Sequence, residues 1–81
     1  MAAIIGSGVN VGPSTVNIGY HTQELYIRTN GSTDAIVTLN GYQVHVPGTP
    51  ANTTPFGYVE FEIDVSSFTV VSGNIDWYAI G

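Results

Sequence analysis

The chain has 81 residues, a mass of 8.6 kDa, six Asp or Glu residues against a single Arg, no Lys and a net charge of -5. One cation cannot neutralise several phosphates, so this composition argues against binding to nucleic acid or to an anionic membrane surface. No cysteine is present, which excludes disulfide bonds and thiolate metal sites.

The small size indicates a single domain that needs help to be stable. A chain of this length buries only roughly 60% of the surface that its extended form exposes. Small domains are usually completed by disulfides, a metal or oligomerisation, and without cysteine we expect a homo-oligomer. Only 9% of the residues are charged, against about 25% in an average domain, which favours a surface covered by neighbouring subunits.

No targeting segment is evident in the sequence. The first residues contain neither a basic region nor the apolar run of a signal peptide. No apolar run approaches the roughly 20 residues of a membrane span. We therefore expect synthesis without secretion and no contact with a membrane.

Residues 1–13 differ from the rest of the chain because they are small, apolar and rich in glycine, without clear periodicity. They predict an extended N-terminal arm that a partner orders, ahead of a single β domain at residues 14–81. The alternative is a frayed terminus in which Ile4 and Ile5 cover the edge of the core.

The remaining residues are rich in Val, Ile, Thr and Tyr and alternate with period two between Gly and Asn-Gly turns. This pattern predicts an all-β fold, a small antiparallel sandwich or a flattened barrel of six to seven strands. Strands are predicted at residues 15–20, 24–29, 34–39, 42–46, 58–65, 68–71 and 75–80.

The central hairpin has a strongly specified register. Asn40-Gly41 predicts a two-residue type I′ turn. Three pairs then share one face: Leu39 with Tyr42, Val37 with Val44, and Ala35 with Val46. A slip by one residue would scatter these apolar side chains over both faces. Tyr42 is therefore expected in the core.

Two further hairpins are predicted with three-residue turns. Thr29-Asn30-Gly31 would join the strands at 24–29 and 34–39, and Ser72-Gly73-Asn74 would join the last two strands. In the second hairpin, Trp77 is expected in the core and Phe68 is expected to face Tyr78 on the opposite side. Because both faces carry large apolar groups, we expect another subunit to cover one of them.

A stripe of carboxylates, Glu60, Glu62 and Asp64, is expected on the outer side of the strand at 58–65. The simplest interpretation is a solvated face whose like charges prevent edge-to-edge pairing. The alternatives are a docking face for a basic partner, a calcium site or a carboxylate pair for glycoside hydrolysis. His21 and His45 are predicted as surface residues, or as metal ligands shared between symmetry-related copies.

The candidate contact residues combine the arm, the proline-containing loop at 47–57 and outward-facing aromatic residues. Exposed tyrosines favour contacts between subunits, and the alternative is a stacking platform for carbohydrate. The candidates are Ile4, Ile5, Val9, Val11, Tyr26, Pro50, Pro55, Phe56, Tyr58, Phe68, Tyr78 and Ile80. No residue is assigned a catalytic, cofactor-binding or metal-binding role.

In style the whole chain resembles the small decoration or cement proteins of tailed bacteriophage capsids. The resemblance is carried by the segment Met-Ala-Ala-Ile-Ile-Gly-Ser-Gly-Val-Asn-Val-Gly, short Thr- and Asn-rich strands, the absence of Lys, and the terminal Asp76-Trp77-Tyr78-Ala79-Ile80. It implies a non-enzymatic structural protein located in the virion after assembly in the host cytoplasm. It also implies a symmetric oligomer, most often a trimer, that clamps major capsid subunits.

Overall fold

The computed structural model describes residues 3–54 and 56–81, and these residues form strands and turns. The strands are β1 (Ile4–Val11), β2 (Ser14–Asn17), β3 (Glu24–Thr29), β4 (Ala35–Leu39), β5 (Tyr42–Val46), β6 (Val59–Phe61), β7 (Ser67–Ser72) and β8 (Ile75–Ile80). The described residues thus contain eight strands, which corrects the predicted six to seven. They include no helix that is long and apolar enough to cross a membrane.

The strands form two four-stranded antiparallel sheets that pack as a sandwich. Sheet A has the order β1-β8-β3-β6, and sheet B has the order β2-β7-β4-β5. The predicted all-β fold is therefore confirmed in its sandwich form. The core between the sheets contains Ile18, Leu25, Ile27, Ala35, Val37, Leu39, Val46, Val65, Phe68, Val70, Ile75, Trp77 and Ala79.

The predicted β4–β5 hairpin is confirmed in its register and its turn. Val37 lies opposite Val44, and both turn residues have positive φ, 50° at Asn40 and 82° at Gly41, as a type I′ turn requires. The predicted burial of Tyr42 is wrong, because this side chain is 77% exposed. Tyr42 follows the turn at the end of an edge strand, where its ring reaches solvent.

The other two predicted hairpins are wrong, because their strands lie in different sheets. β3 pairs with β8 and β6, whereas β4 pairs with β5 and β7. A connection that crosses between facing sheets preserves the same inward alternation as a hairpin. Leu25 and Val37 are thus both fully buried, as expected, but they enter the core from opposite sheets.

The predicted strand at 58–65 is shorter than expected because the chain leaves sheet A after Phe61. Beyond β6 it is held by Thr22, whose backbone N–H donates to Val65 O at 3.0 Å. The Thr22 hydroxyl also donates to Ile63 O and accepts the N–H of Val65 at 3.1 Å. These three hydrogen bonds of the buried Thr22 replace the strand pairing that the chain lacks beyond β6.

Residues 4–11 form β1 at the edge of sheet A, so the part of the predicted arm that the structure describes is a paired strand and not a free extension. Gly6 and Gly8 pair with Ala79 and Trp77 of β8. A Cβ atom at Gly6 would lie 2.9 Å from Trp77 Cη2, and one at Gly8 would lie 2.5 Å from Trp77 Nε1. Two inward positions of β1 are therefore glycines that make room for the indole ring, and this interrupts the apolar alternation that would have indicated a strand.

We expect Gly8→Ala to lower the free energy of unfolding by about 1–3 kcal/mol, the usual cost of overpacking a core. The Trp77 ring has little room to move away from an added methyl group, because it packs edge-on against Phe68 at a centroid distance of 5.4 Å. Gly12→Ala is the matched control, because nothing lies within 4 Å of a Cβ atom there. Chemical denaturation of both variants provides the measurement, and equal stabilities would contradict the packing of β1 on Trp77.

Candidate functional site

Three tyrosines meet on the outer face of sheet A, and we call Tyr26, Tyr58 and Tyr78 the tyrosine patch. Tyr26 of β3 lies opposite Tyr78 of β8 in the strand register. Their rings stack with centroids 4.5 Å apart and an interplanar angle of 11°. Tyr58, just before β6, contacts Tyr78 edge-on at 4.9 Å. The rings therefore form one preformed aromatic surface.

Arg28 closes one end of the tyrosine patch. Its guanidinium carbon lies 4.6 Å from the centroid of the Tyr58 ring, which is a cation–π contact. Arg28 Nε also donates to Asp76 Oδ2 at 3.2 Å. The chain's single Arg or Lys side chain is thus fixed against both a ring and a carboxylate.

Asp76 is a buried carboxylate that organises this end of the site. Besides Arg28, its Oδ1 accepts the backbone N–H of Asn10 and the side-chain amide of Asn30, each at 2.9 Å. Burial raises the pKa of Asp76, but the donors from Asn10, Asn30 and Arg28 outweigh it, and the net pKa lies below the ordinary value. Asp76 therefore remains charged and holds its three partners in place.

Two glutamates close the opposite end of the patch. The Tyr26 hydroxyl donates to Glu24 Oε2 and lies 3.2 Å from Glu60 Oε2. The hydrogen bond from Tyr26 lowers the pKa of Glu24. Glu60 shares a hydrogen bond with Glu24, and this contact is the main cause that raises the pKa of Glu60. The hydrogen bond that the Tyr26 hydroxyl donates to Glu24 also raises the pKa of Tyr26 well above its usual range.

A groove of about 430 Å³ adjoins the patch at its Arg28 end. One wall belongs to the loop after β5, which bonds to the β3–β4 connection through Gly48 N–H to Asp34 Oδ1 at 2.7 Å and Thr49 N–H to Gly31 O at 3.0 Å. The lining residues are Arg28, Thr29, Asn30, Gly31, Ser32, Thr49, Ala51 and Asp76. Neither Glu24 nor Glu60 belongs to this lining.

The structure separates the predicted contact residues into several groups. Tyr26, Tyr58 and Tyr78 come together, whereas Phe68 is buried and packs on Trp77 instead of facing Tyr78. The others have these positions: Ile4 and Val9 are exposed on β1, Ile5 and Val11 pack against the core, Ile80 is half-buried opposite Ile4, and Pro50 and Phe56 are exposed in the loop. Pro55 lies outside the described residues.

Sequence reasoning missed the contributions of Asp76 and Asn30. Asp76 belongs to β8, which the sequence pattern predicts to pair with β7, so this pattern does not predict the approach of Asp76 to Arg28 of β3. A single Asp between Ile75 and Trp77, at an outward position beside an apolar stretch, was the available signal.

The arrangement offers contact surfaces and polar groups. Within residues 3–54 and 56–81, no three His, Asp or Glu side chains are close enough to hold a metal ion. His21 pairs with Asp64, and both side chains are largely exposed.

No family model, curated protein or solved structure matches this chain. The side chains of the site are therefore the evidence for its chemistry.

We expect Glu60→Gln to raise the melting temperature at pH 7. Because the folded state raises the pKa of Glu60, its stabilising form is the protonated one, which is lost as the pH rises through that pKa. Glutamine keeps the hydrogen-bonding shape without the charge, so its advantage should disappear below the ordinary carboxyl range. Thermal denaturation between about pH 3 and about pH 8 tests this, because that range spans the ordinary pKa of a glutamate. Glu62→Gln is the comparison and should shift the melting temperature less, because Glu62 is the smallest of the causes that raise the pKa of Glu60. Equal shifts in both variants would contradict the pairing with Glu24.

Proposed function

We propose that this protein is a non-enzymatic structural subunit that stabilises a larger assembly, as the decoration or cement proteins of tailed-phage capsids do. In this proposal it is located in the virion, forms a homo-oligomer and contacts another virion protein, such as the major capsid protein. It binds neither nucleic acid nor membrane. Its mechanism is mass action, since a subunit that binds only the assembled lattice stabilises that lattice.

The observation that carries the proposal is the tyrosine patch with Arg28 beside it. Tyrosine and arginine are enriched in protein–protein interfaces and dominate their binding energy. Stacking between Tyr26 and Tyr78 holds these side chains in place before any partner arrives. A preformed patch loses little conformational entropy on binding, which favours affinity.

The arrangement of the rings favours a protein partner over a sugar. Stacking on a sugar requires a free ring face. Tyr26 covers one face of Tyr78, Tyr58 and Tyr78 meet in a T-shaped contact, and Arg28 covers one face of Tyr58. The patch therefore supports broad contact with a second surface better than stacking of a single sugar ring.

The low charge and the exposed apolar side chains support the same proposal. Ile4 is 67% exposed and Val9 is 77% exposed on β1, although both are large apolar residues. Phe56 is exposed near the patch in sequence, two positions before Tyr58. These exposed apolar side chains are available for contact with a partner surface.

The proposal is tested on purified phage particles assembled in a host that produces the chain. We expect mass spectrometry to find the wild-type chain in a fixed ratio to the major capsid protein. The double variant Tyr58→Ser and Tyr78→Ser should be depleted from particles at least tenfold, because it removes two of the three anchors. Tyr20→Ser is the matched control, since Tyr20 is 70% exposed and lies outside the patch. Absence of the wild-type chain, or equal occupancy by both variants, would refute the proposal.

A second candidate, a carbohydrate-binding module, is favoured by the groove next to Arg28. Arg28, Asn30 and Asp76 line it with charged and amide groups, as a site for hydroxyl-rich ligands requires. A glycan array provides the test, and a neutral glycan that binds should lose binding when Ser32→Phe fills the groove. Tyr20→Ser should bind normally. An array without hits would eliminate this candidate.

A further inference from the structure

The described sheets have four edge strands, and they differ in how well they are protected against pairing with another strand. β1 is interrupted by two register shifts, β2 has four residues, and β6 has three residues, among them Glu60. Bulges, short length and charge are the usual protections of an edge. β5 has none of these protections, because its five residues pair with β4 without a shift and include no Asp, Glu, Lys, Arg or Pro.

The hairpin register determines which backbone groups of β5 face outward. The two-residue turn makes Leu39 and Tyr42 a hydrogen-bonded pair, and such pairs alternate along an antiparallel ladder. The N–H and C=O groups of Tyr42, Val44 and Val46 therefore point toward β4. Those of Gln43 and His45 point away from the sheet, and both residues are exposed.

We propose that β5 pairs antiparallel with β5 of a second copy, around a two-fold axis that passes beside Val44. In this register Gln43 lies opposite His45 of the partner subunit, so all the outward N–H and C=O groups of these two positions are satisfied by four backbone hydrogen bonds. A shift by two residues in either direction leaves only one such pair. Sheet B then continues as an eight-stranded sheet across two copies.

The side chains of β5 are self-complementary in the same register. Tyr42 lies opposite Val46 of the partner subunit, and Val44 lies opposite its own copy on the core-facing side. The Tyr42 ring, which is 77% exposed in the single chain, thus lies at this contact. On the other side, Gln43 meets His45 of the partner subunit, and both are polar side chains without a formal charge when the histidine is neutral.

Charge also favours a second copy as the occupant. The chain carries a net charge of -5, so self-association must use a surface without like charges. β5 is such a surface, whereas β6 would bring Glu60 close to Glu60 of the partner subunit. An isologous contact closes after two copies, so we propose a dimer in place of the trimer that the phage resemblance implies.

The register is tested by placing charges at the two outward positions. Gln43→Glu with His45→Glu puts like charges directly opposite each other across the interface, which destabilises strand pairing. Gln43→Glu with His45→Lys puts opposite charges there and serves as the matched control. Both positions are exposed, so the fold of each variant should be retained, as circular dichroism will verify.

Native mass spectrometry over a dilution series should show dimers for the wild type and for the control variant. The like-charge variant should have a dissociation constant at least about tenfold higher, since two repulsive pairs replace two neutral ones. Amide hydrogen exchange at Gln43 and His45 should slow as the wild-type concentration rises. A wild-type monomer or trimer, an unchanged dimer of the like-charge variant, or exchange independent of concentration would overturn the proposal.

This inference rests on the proposed function only in that both require self-association. A wild-type monomer would contradict self-association in both, but the contact with another virion protein is tested separately, because the dimer is measured on purified protein with an intact tyrosine patch. Incorporation into particles is measured with an intact β5. A dimer that never enters particles would refute the phage assembly alone.

Discussion

The candidate site depends on one buried carboxylate, that of Asp76. Its three donors come from different parts of the chain: the backbone of Asn10 in β1, the side chain of Asn30 after β3, and Arg28 within β3. A buried charge is tolerated only when such donors surround it. The need to satisfy Asp76 therefore couples the edge strand, the β3–β4 connection and the orientation of Arg28.

The consequences of this coupling extend across the outer face of sheet A. Asn10 adopts a positive φ of 54° in the bulge of β1, where its N–H can reach Asp76. Arg28, held at Nε by Asp76, presents its guanidinium to the Tyr58 ring. The tyrosine patch is thus positioned by a polar network at one end and by Tyr26, hydrogen-bonded to Glu24, at the other.

The surfaces proposed for assembly lie on different sheets. The tyrosine patch belongs to the outer face of sheet A, and the unprotected edge belongs to β5 of sheet B. A subunit with two separate contacts can pair with its own copy and still present the patch to a lattice. In this proposal a small chain without cysteine, whose own core is limited, would gain stability from its neighbours.

The sequence by itself determined what depends on neighbouring residues: the all-β class, the inward and outward alternation, and the Asn40-Gly41 turn with its register, because each follows from period two or from turn chemistry. Only the tertiary structure decided which strands share a sheet. A hairpin and a crossing between sheets bury the same side chains, so Leu25 and Val37 gave no sign of lying in opposite sheets. The pairing of β8 with β3 brought Asp76 to Arg28 and stacked Tyr26 on Tyr78. The glycine-rich segment forms β1 because its glycines leave room for the indole ring of Trp77. These contacts join residues distant in the chain, and their geometry depends on packing that no local pattern encodes.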